Sequence, residues 1–521
     1  MGPRIRPVLK VFSAATMRAL DERAAELGVF PLLLMESAGR GAAEEIRAWN
    51  PELATKRVLA VCGKGGNGGD ALAAARWLGL RGADARAAVL GSPSGPTAEQ
   101  ERAFRASFPE NLFSVHDEAG LDALQAWLGE SDLVLDGILG IGLLRKPKGL
   151  AQAAIALVNE AAAPVVALDL PSGLVADTGA VPGPVVRAAL TLAMGALKPC
   201  HLLPPAAERC GEVRVVDVAY PPEAWGAAVP LAQVVDAAFC AGLLPPRPRF
   251  GHKGTFGRVL VVGGAVGMAG AVALAAEGAL RAGAGLVHVL CPEAVYPIVA
   301  GLVPEALVHP GPATDGEFAP AAAADALRRS QEADVVVIGP GLGRAPGPAE
   351  VVRALVRSKV PLVADADALF ALAQEPRLLR RKHGEIVLTP HPGEFARLVA
   401  ADPEEIGADK IRWAGDKARE WKSVLVLKGP PTAIGSPDGG VFLSTTGNTA
   451  LAHGGAGDVL AGIIGGLWAG GGRALAAAVA GAYVHGLGAE LATAGASERA
   501  ILPREVLDAL PAAFAWLERY R

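Results

Sequence analysis

Apolar and polar positions along the chain fall into two alternating series. In the first, RVLAVC, ALAAARWLGL, ARAAVL, DLVLDGIL, AQAAIALVNEA and PVVALDL follow one another, short β-branched runs trading places with Ala/Leu-rich stretches. Strand, helix, strand in that order predicts parallel strands joined by crossover helices. The strand runs are continuously apolar rather than alternating, so both faces of the sheet are expected to lie under helices, giving a three-layer, Rossmann-like α/β sandwich. A helical stretch over residues 17–49 precedes the series, and VRVVDVAYPP near residue 222 closes it.

The second series opens at Arg258 with RVLVVGG and continues through AGAVALAAEGALRAGAG, GLVHVLC, DVVVIGP, PLVADAD, EIVLTPH and SVLVLKG. A hairpin-like TAIGSPDGGVFLST then leads to the glycine-rich TTGNTALAHGGAGDVL and three Ala-rich helices. Between the series, PPEAWGAAVP and LLPPRPRF predict a passage without regular structure over residues 221–249. The expected division is therefore two α/β domains, 1–228 and 229–521. Val259 to Ala276 carries no charge and reaches the length of a membrane span, but its internal glycine pair marks a strand, a turn and a helix joined.

Composition narrows the picture. A hydrophobic fraction of 51% with 20% charged residues describes a folded chain. The formal net charge of -4 provides no basic field for nucleic acid, so phosphate binding is expected to be local and built from glycine amides. Five cysteines without a C-x-x-C pair suggest neither a disulfide framework nor a zinc site. The basic start MGPRIRPVLK runs into VFSAATMRALDERAAE, which is charged where a signal peptide needs an apolar core. A cytoplasmic homo-oligomer with no membrane or nucleic-acid partner is expected.

Two glycine clusters carry the candidate chemistry. CGKGGNGGDALAAAR, Cys62 to Arg76, follows a strand and opens a helix, where backbone amides can approach an anion. Its spacing matches neither G-x-G-x-x-G nor the G-x-x-x-x-G-K-[ST] loop, and a plain strand-to-helix turn is the alternative. Asp136, and Asp169 with Ser172, stand at two further strand ends on the carboxyl edge where open parallel sheets bind ligands. Either aspartate alone could simply cap a turn. In the second series, Gly454, Gly455 and Gly457 immediately precede Asp458 and an apolar helix. Amides freed there can steady a phosphate in transfer, and the helix dipole is expected to keep Asp458 ionised as a base. An aspartate capping the first turn is the structural alternative.

GGNGGD, DGILGIGLLRK, LDLPSG with ADTG, and GALKP resemble the NAD(P)H-hydrate epimerase family over residues 10–220. The resemblance implies that Gly66, Asn67, Gly68, Gly69 and Asp70, with Gly140, Ile141, Gly142, Leu143, Leu144, Arg145 and Lys146, hold the dinucleotide. It further implies that Asn67, Asp136 and Ser172 coordinate potassium through hard oxygen donors and that Asp169 contacts the substrate. A carboxylate beside the carbinolamine carbon suits acid/base work, which makes Asp169 the candidate. Gly66, Ala71 and Val175 depart from the family pattern.

GGAGD resembles the anion-hole motif of ribokinase-like enzymes. With HKGTFGRVLVVGG, GPGLG, DADAL, TPHPGE and LKGPPT, residues 245–515 resemble the NAD(P)H-hydrate dehydratase family. That resemblance implies ADP as co-substrate along Lys428, Gly429, Pro430, Pro431, Thr432 and Gly457. It also implies magnesium bridging the phosphates, the hydrate against Ala271, Gly341, His391 and Asp458, and Asp458 as base. His391, held between Pro390 and Pro392, is expected to aim its ring at the ligand, while Lys428 could equally be a solvated strand end. The substrates expected are hydrated NADH and NADPH with ADP. The competing reading is a vitamin-alcohol kinase of the ribokinase superfamily fused to a non-catalytic nucleotide-binding module.

Overall fold

A computed structural model describes residues 9–380 and 382–521; MGPRIRPV, the greater part of the basic start, lies outside them. Contacts divide the described chain into one unit of residues 9–231 with 407–409 and another of residues 232–406 with 410–521.

The first unit is built on strands β1 Arg57–Cys62, β2 Asp84–Leu90, β3 Leu112–Val115, β4 Leu133–Gly137, β5 Val165–Leu168, β6 Leu190–Met194 and β7 Glu212–Val216. They lie in the order β3-β2-β1-β4-β5-β6-β7, all parallel. The strand order reverses between β1 and β4, so the loops leaving both open onto one crevice. Period-two alternation splits β1: Val58, Ala60 and Cys62 pack under helices α1 Pro31–Trp49 and α2 Gly66–Gly79. Leu59 and Val61 pack on the opposite face with Leu124, Leu128, Ile155 and Val158. Both faces are thus covered, as the continuous apolar runs require. The single helical stretch expected over 17–49 is instead two helices, Ala14–Glu26 and α1, because Gly28 turns left-handed at φ 92° and Pro31 starts a new helix.

The second unit carries β8 Ala232–Val234, β9 Arg258–Val262, β10 Leu286–Pro292, β11 Leu307–Gly311, β12 Val335–Ile338, β13 Leu362–Ala364, β14 Ile386–Leu388, β15 Val424–Leu427, β16 Thr432–Gly435 and β17 Val441–Ser444. Their order is β8-β17-β16-β15-β14-β13-β12-β9-β10-β11. Among these strands only the pairs β15/β16 and β16/β17 are antiparallel, and β16/β17 is the hairpin read from TAIGSPDGGVFLST. Helices α3 Ala269–Arg281, α6 Ala456–Ala469 and α7 Ala474–Ala492 share one core with Val259, Val261 and Val337. Leu260, Val262, Val336 and Ile338 face a second core, with Val351, Leu355, Leu369 and Leu372. Two shorter helices also matter below: α4 Pro392–Val399 and α5 Lys410–Trp421.

The stretch 221–249 is more regular than its prolines predict. Helix Pro222–Trp225, strand β8 and helix Ala237–Leu243 lie within it. The last is started by Asp236, whose carboxylate accepts from the Phe239 amide at 2.8 Å, a cap that outweighs the surrounding helix breakers. Val259 to Ala276 is β9, a turn and part of α3. Among the described residues one helix, α7, is long and apolar enough to cross a membrane, and 78% of its apolar window is buried in the fold.

Candidate active sites

In the first unit, Gly66 to Asp70 form the opening turn of α2 rather than a free loop. Gly68 must be glycine, because a β-carbon there would lie 1.8 Å from the Gly63 carbonyl oxygen. The amides of Gly66 and Asn67 donate to no group among the described residues, which leaves an anion-facing helix start. Asn67 Nδ2 donates to the Leu139 carbonyl at 2.8 Å, which fixes the amide's orientation. Its Oδ1 is then buried without a donor, an orphaned oxygen of the kind that calls for an explanation.

Beside it, Asp136 and Ser172 are fully buried. Asp136 Oδ2 accepts from the Ser172 amide at 2.7 Å, and its Oδ1 accepts from the Ser172 hydroxyl at 2.5 Å and the Ile138 amide at 3.2 Å. Burial, only partly offset by these bonds, raises the Asp136 carboxyl to about 6. Asp136 closes a local turn through Ile138 as well as holding Ser172, and neither it nor Asp169 starts a helix. The structure thus brings Asn67, Asp136 and Ser172 together around Leu139. Gly140 to Lys146 continue from Leu139 as a partly exposed segment, with Leu144 77% exposed.

Asp169, 7% exposed, is fixed at every polar group it has but one. It takes a left-handed φ of 63°, costly for a residue with a β-carbon. Its amide donates to Leu192 at 2.8 Å, and its Oδ1 accepts from Lys198 Nζ at 2.5 Å and the Met194 amide at 3.2 Å. His201 completes the clamp. Its Nδ1 accepts from the Lys198 amide at 3.0 Å, so Nε2 carries the proton and donates to the Asp169 carbonyl at 2.8 Å. Burial, with Lys198 nearby, lowers the His201 imidazole to about 4 and keeps it neutral. Only Asp169 Oδ2 remains for a substrate.

Asp70 and Asp21 face this pair. Burial first, then the charges of Asp169 and Asp21, hold Asp70 well above the ordinary carboxyl range. Burial likewise raises Asp21, although the Tyr220 hydroxyl donates to it at 2.6 Å. Sequence reasoning missed Asp21, Lys198, His201 and Tyr220. Lys198 lay within the GALKP motif, whereas Asp21 and Tyr220 carry no local signal and meet only through the fold.

In the second unit, Gly455 caps α6 with φ 100°, and a β-carbon there would press on Leu274. This reversal points the amides of Gly457 and Asp458 away from any acceptor among the described residues. A β-carbon on Gly457 would sit 3.0 Å from Lys428 Nζ, so the lysine stands over the helix start. Lys428 is no solvated strand end: Nζ lies 2.8 Å from Asp365 Oδ1 and 3.9 Å from Glu394 Oε2, and the nearby acids raise it above the ordinary lysine range against the effect of burial.

The expectation that the helix dipole keeps Asp458 ionised is corrected here. Burial raises its carboxyl to about 7, and Asp365, Asp367 and Glu394 add to the shift while Lys428 opposes it. Desolvation together with three like charges exceeds what one helix end supplies. Ala271 and Gly341 are brought together, since a β-carbon on Gly341 would lie 3.2 Å from that of Ala271. His391 also carries a structural duty. Its Nδ1 accepts from the Gly393 and Glu394 amides at 3.0 and 3.4 Å, so it caps α4, and Glu394 returns a bond to the His391 amide at 2.8 Å. Gly429, Pro430 and Pro431 link β15 to β16, which Thr432 begins. Asp365 and Glu394 were missed as site residues although DADAL and TPHPGE contain them.

Comparison with known proteins adds the identity of this pairing of sites. The family described as NAD(P)H-hydrate dehydratase matches residues 259–512, and one described as YjeF-related protein N-terminus matches residues 32–200. The bifunctional NAD(P)H-hydrate repair enzyme of Moorella thermoacetica is 40% identical over 505 residues, covering 96% of this chain and 95% of that protein. Its Escherichia coli counterpart is 34% identical over 96% of this chain and 93% of its own length. Among solved structures, the ADP/ATP-dependent NAD(P)H-hydrate dehydratase of Bacillus subtilis, co-crystallized with ATP/Mg2+, is 32% identical, with a TM-score of 0.47 over 54% of this chain and 98% of that one. The chain belongs to the family of bifunctional NAD(P)H-hydrate repair enzymes.

Proposed function

We propose that the two sites repair hydrated NADH and NADPH in sequence, the first interconverting the R and S hydrates and the second dehydrating the S hydrate at the expense of ADP. Epimerase and dehydratase activities follow from the family; the residue roles are the present reading. The observation that carries it is the helix start in the second unit, where Asp458 stands beside unbonded Gly457 and Asp458 amides and under Lys428.

There, Asp458 takes the proton of the substrate hydroxyl, and the oxygen attacks the terminal phosphate of ADP, releasing AMP. The amides and Lys428 receive the charge that develops on the phosphate. The ring nitrogen's lone pair then expels phosphate, and loss of a proton from the neighbouring carbon closes the dihydropyridine double bond. Ala271, Gly341 and His391 would line the hydrate, and Lys428 to Thr432 with Gly457 the nucleotide. Lys428 pairs with Asp365 and Arg344 with Asp367, and no cluster of acids among the described residues is spaced to hold an ion by itself, so magnesium would arrive with the phosphates and meet Glu394 and Asp458 as the less committed carboxylates. Magnesium would neutralise phosphate oxygens.

In the first unit, Asp169 Oδ2 would stabilise the cation formed when the carbinolamine loses hydroxide and would shuttle the proton as water returns on the other face. Asp70, whose carboxyl burial holds well above its ordinary range, would protonate the departing oxygen. The segments 66–70 and 140–146 would hold the dinucleotide. The orphaned Asn67 Oδ1 beside Asp136 and Ser172 fits a potassium ion, which would neutralise Asp136 and fix the Leu139 segment. A cytoplasmic homo-oligomer acting on small molecules, without nucleic acid or membrane, completes the reading.

The test is a coupled assay on mixed hydrate epimers, following absorbance of reduced nicotinamide. Complete conversion with ADP, and none without it, is expected. A stable phosphorylated alcohol as product would sink the assignment in favour of a kinase.

A further inference from the structure

The segment that carries Lys428 is held by a residue outside both motifs. Lys410, the first residue of α5, is 4% exposed. Its Nζ donates to the carbonyls of Lys428 at 3.0 Å, Gly429 at 3.0 Å and Pro431 at 2.9 Å. All of its donors are spent on one turn of chain. No carboxylate among the described residues shares it: burial alone acts on the ammonium and lowers it to about 7.

A buried cation without a counter-ion is costly, so a cheaper filling of this space is chemically easy and the lysine needs a reason. The geometry supplies one. The peptide oxygens of a turn beside bound phosphate would repel it, and Lys410 draws three of them inward. The same bonds leave Gly429 in a left-handed turn at φ 105°, with Lys410 Nζ 3.2 Å from where a β-carbon would stand. They also set the chain direction at Lys428, whose own ammonium must reach Asp365 and the α6 start from that turn.

We infer that Lys410 is a positioning residue for nucleotide binding: it shapes the 428–431 turn by neutralising its carbonyls, and it touches neither substrate. The inference rests on the reading of this turn as the ADP site. A merely structural lysine would affect folding without separating the two substrates, and the experiment uses that difference.

In the full-length chain, Lys410→Met is expected to raise the KM for ADP about tenfold or more, the scale of losing charge-assisted hydrogen bonds, while the KM for the S hydrate and kcat at saturating ADP stay within about threefold. Lys410→Arg, which keeps charge and several donors, is expected to recover part of the ADP affinity. An unchanged KM for ADP in Lys410→Met, or equal loss for both substrates, overturns the inference. Should the variants not fold, the wild-type protein gives the answer: an acylating amine reagent is expected to label Lys410 more slowly when ADP with magnesium is present, and equal rates overturn the proposal. Failure of wild-type protein to bind ADP at all, by calorimetry, would instead remove the reading on which it rests.

Discussion

Two aspartates at the carboxyl edges of two parallel sheets are placed in opposite electrostatic settings. Asp169 shares a buried lysine at 2.5 Å and has its backbone clamped by a neutral histidine. Asp458 has no lysine of its own, because Lys428 is committed to Asp365, and that carboxylate presses on it together with Asp367 and Glu394. The difference separates two kinds of work. A carboxylate fixed in place against an ammonium suits stabilising a cation, whereas one that exchanges its proton near neutrality suits accepting one from a hydroxyl.

The largest break in this comparison is removal of the base. Asp458→Asn should lower dehydratase kcat by about 10²–10⁴-fold, the usual reach of general-base catalysis, while R/S interconversion by the same protein is unchanged. Loss of both activities together would show that the residue acts through folding.

Next in size is the buried pair. Lys198→Met strands a carboxylate that is almost wholly enclosed, and removing one partner of such a pair costs about 3–5 kcal/mol. Chemical denaturation should register that loss, and epimerisation should fall with it. Lys198→Met combined with Asp169→Asn should regain much of the stability but none of the activity, since the charge left behind, rather than the missing bond, causes the instability.

The chain's pattern made the sheets legible, and the reasons are visible in single residues. Val58, Ala60 and Cys62 against Leu59 and Val61 are apolar on both faces, which only a covered parallel sheet explains. Lone, short strands such as LFSV at 112–115 carry too few residues for a pattern and escaped notice. At the sites, residues within glycine motifs were found because backbone demands are local. Asp21, meeting Tyr220 across 199 positions, and Lys410, meeting a turn nearly twenty residues on, are products of tertiary packing. The charge state of Asp458 was misjudged for the same reason: the helix dipole is read from sequence, and the neighbouring Asp365, Asp367 and Glu394 are not.

Potassium sharpens the contrast on the first side. If Asn67 Oδ1 is a ligand, Asn67→Ala should weaken potassium dependence of epimerisation by about 10–100-fold in apparent affinity, leaving the dehydratase indifferent to the swap of potassium for lithium. Equal responses of the two activities would remove the ion from the first unit.

The pH profiles should also part. With Asp458 raised to about 7, its basic form grows through neutrality, so dehydratase kcat/KM for the hydrate should rise with pH and level off above 8, standing about tenfold below its plateau at pH 6. The stability linkage runs the other way. A carboxyl whose folded value exceeds its unfolded one favours the fold fully below the unfolded value and loses that contribution as pH rises through about 7. Asp458→Asn should therefore gain Tm relative to wild type between pH 5 and 8. A flat Tm difference over that range would place the raised carboxyl elsewhere.

The smallest effect concerns His391, and here the variants must separate two uses of one ring. As a cap, its Nδ1 holds two α4 amides; as a ligand contact, the half-exposed Nε2 edge would meet the hydrate. Ala at this position loses both, at about 1 kcal/mol for the cap. Asn keeps a capping oxygen but no imidazole. If capping is its whole contribution, His391→Asn should match wild type in Tm and in the KM for the hydrate, while His391→Ala falls in Tm alone. A several-fold rise in hydrate KM for both variants, with Tm restored only by Asn, would instead assign the ring to the substrate and make the cap the means of aiming it.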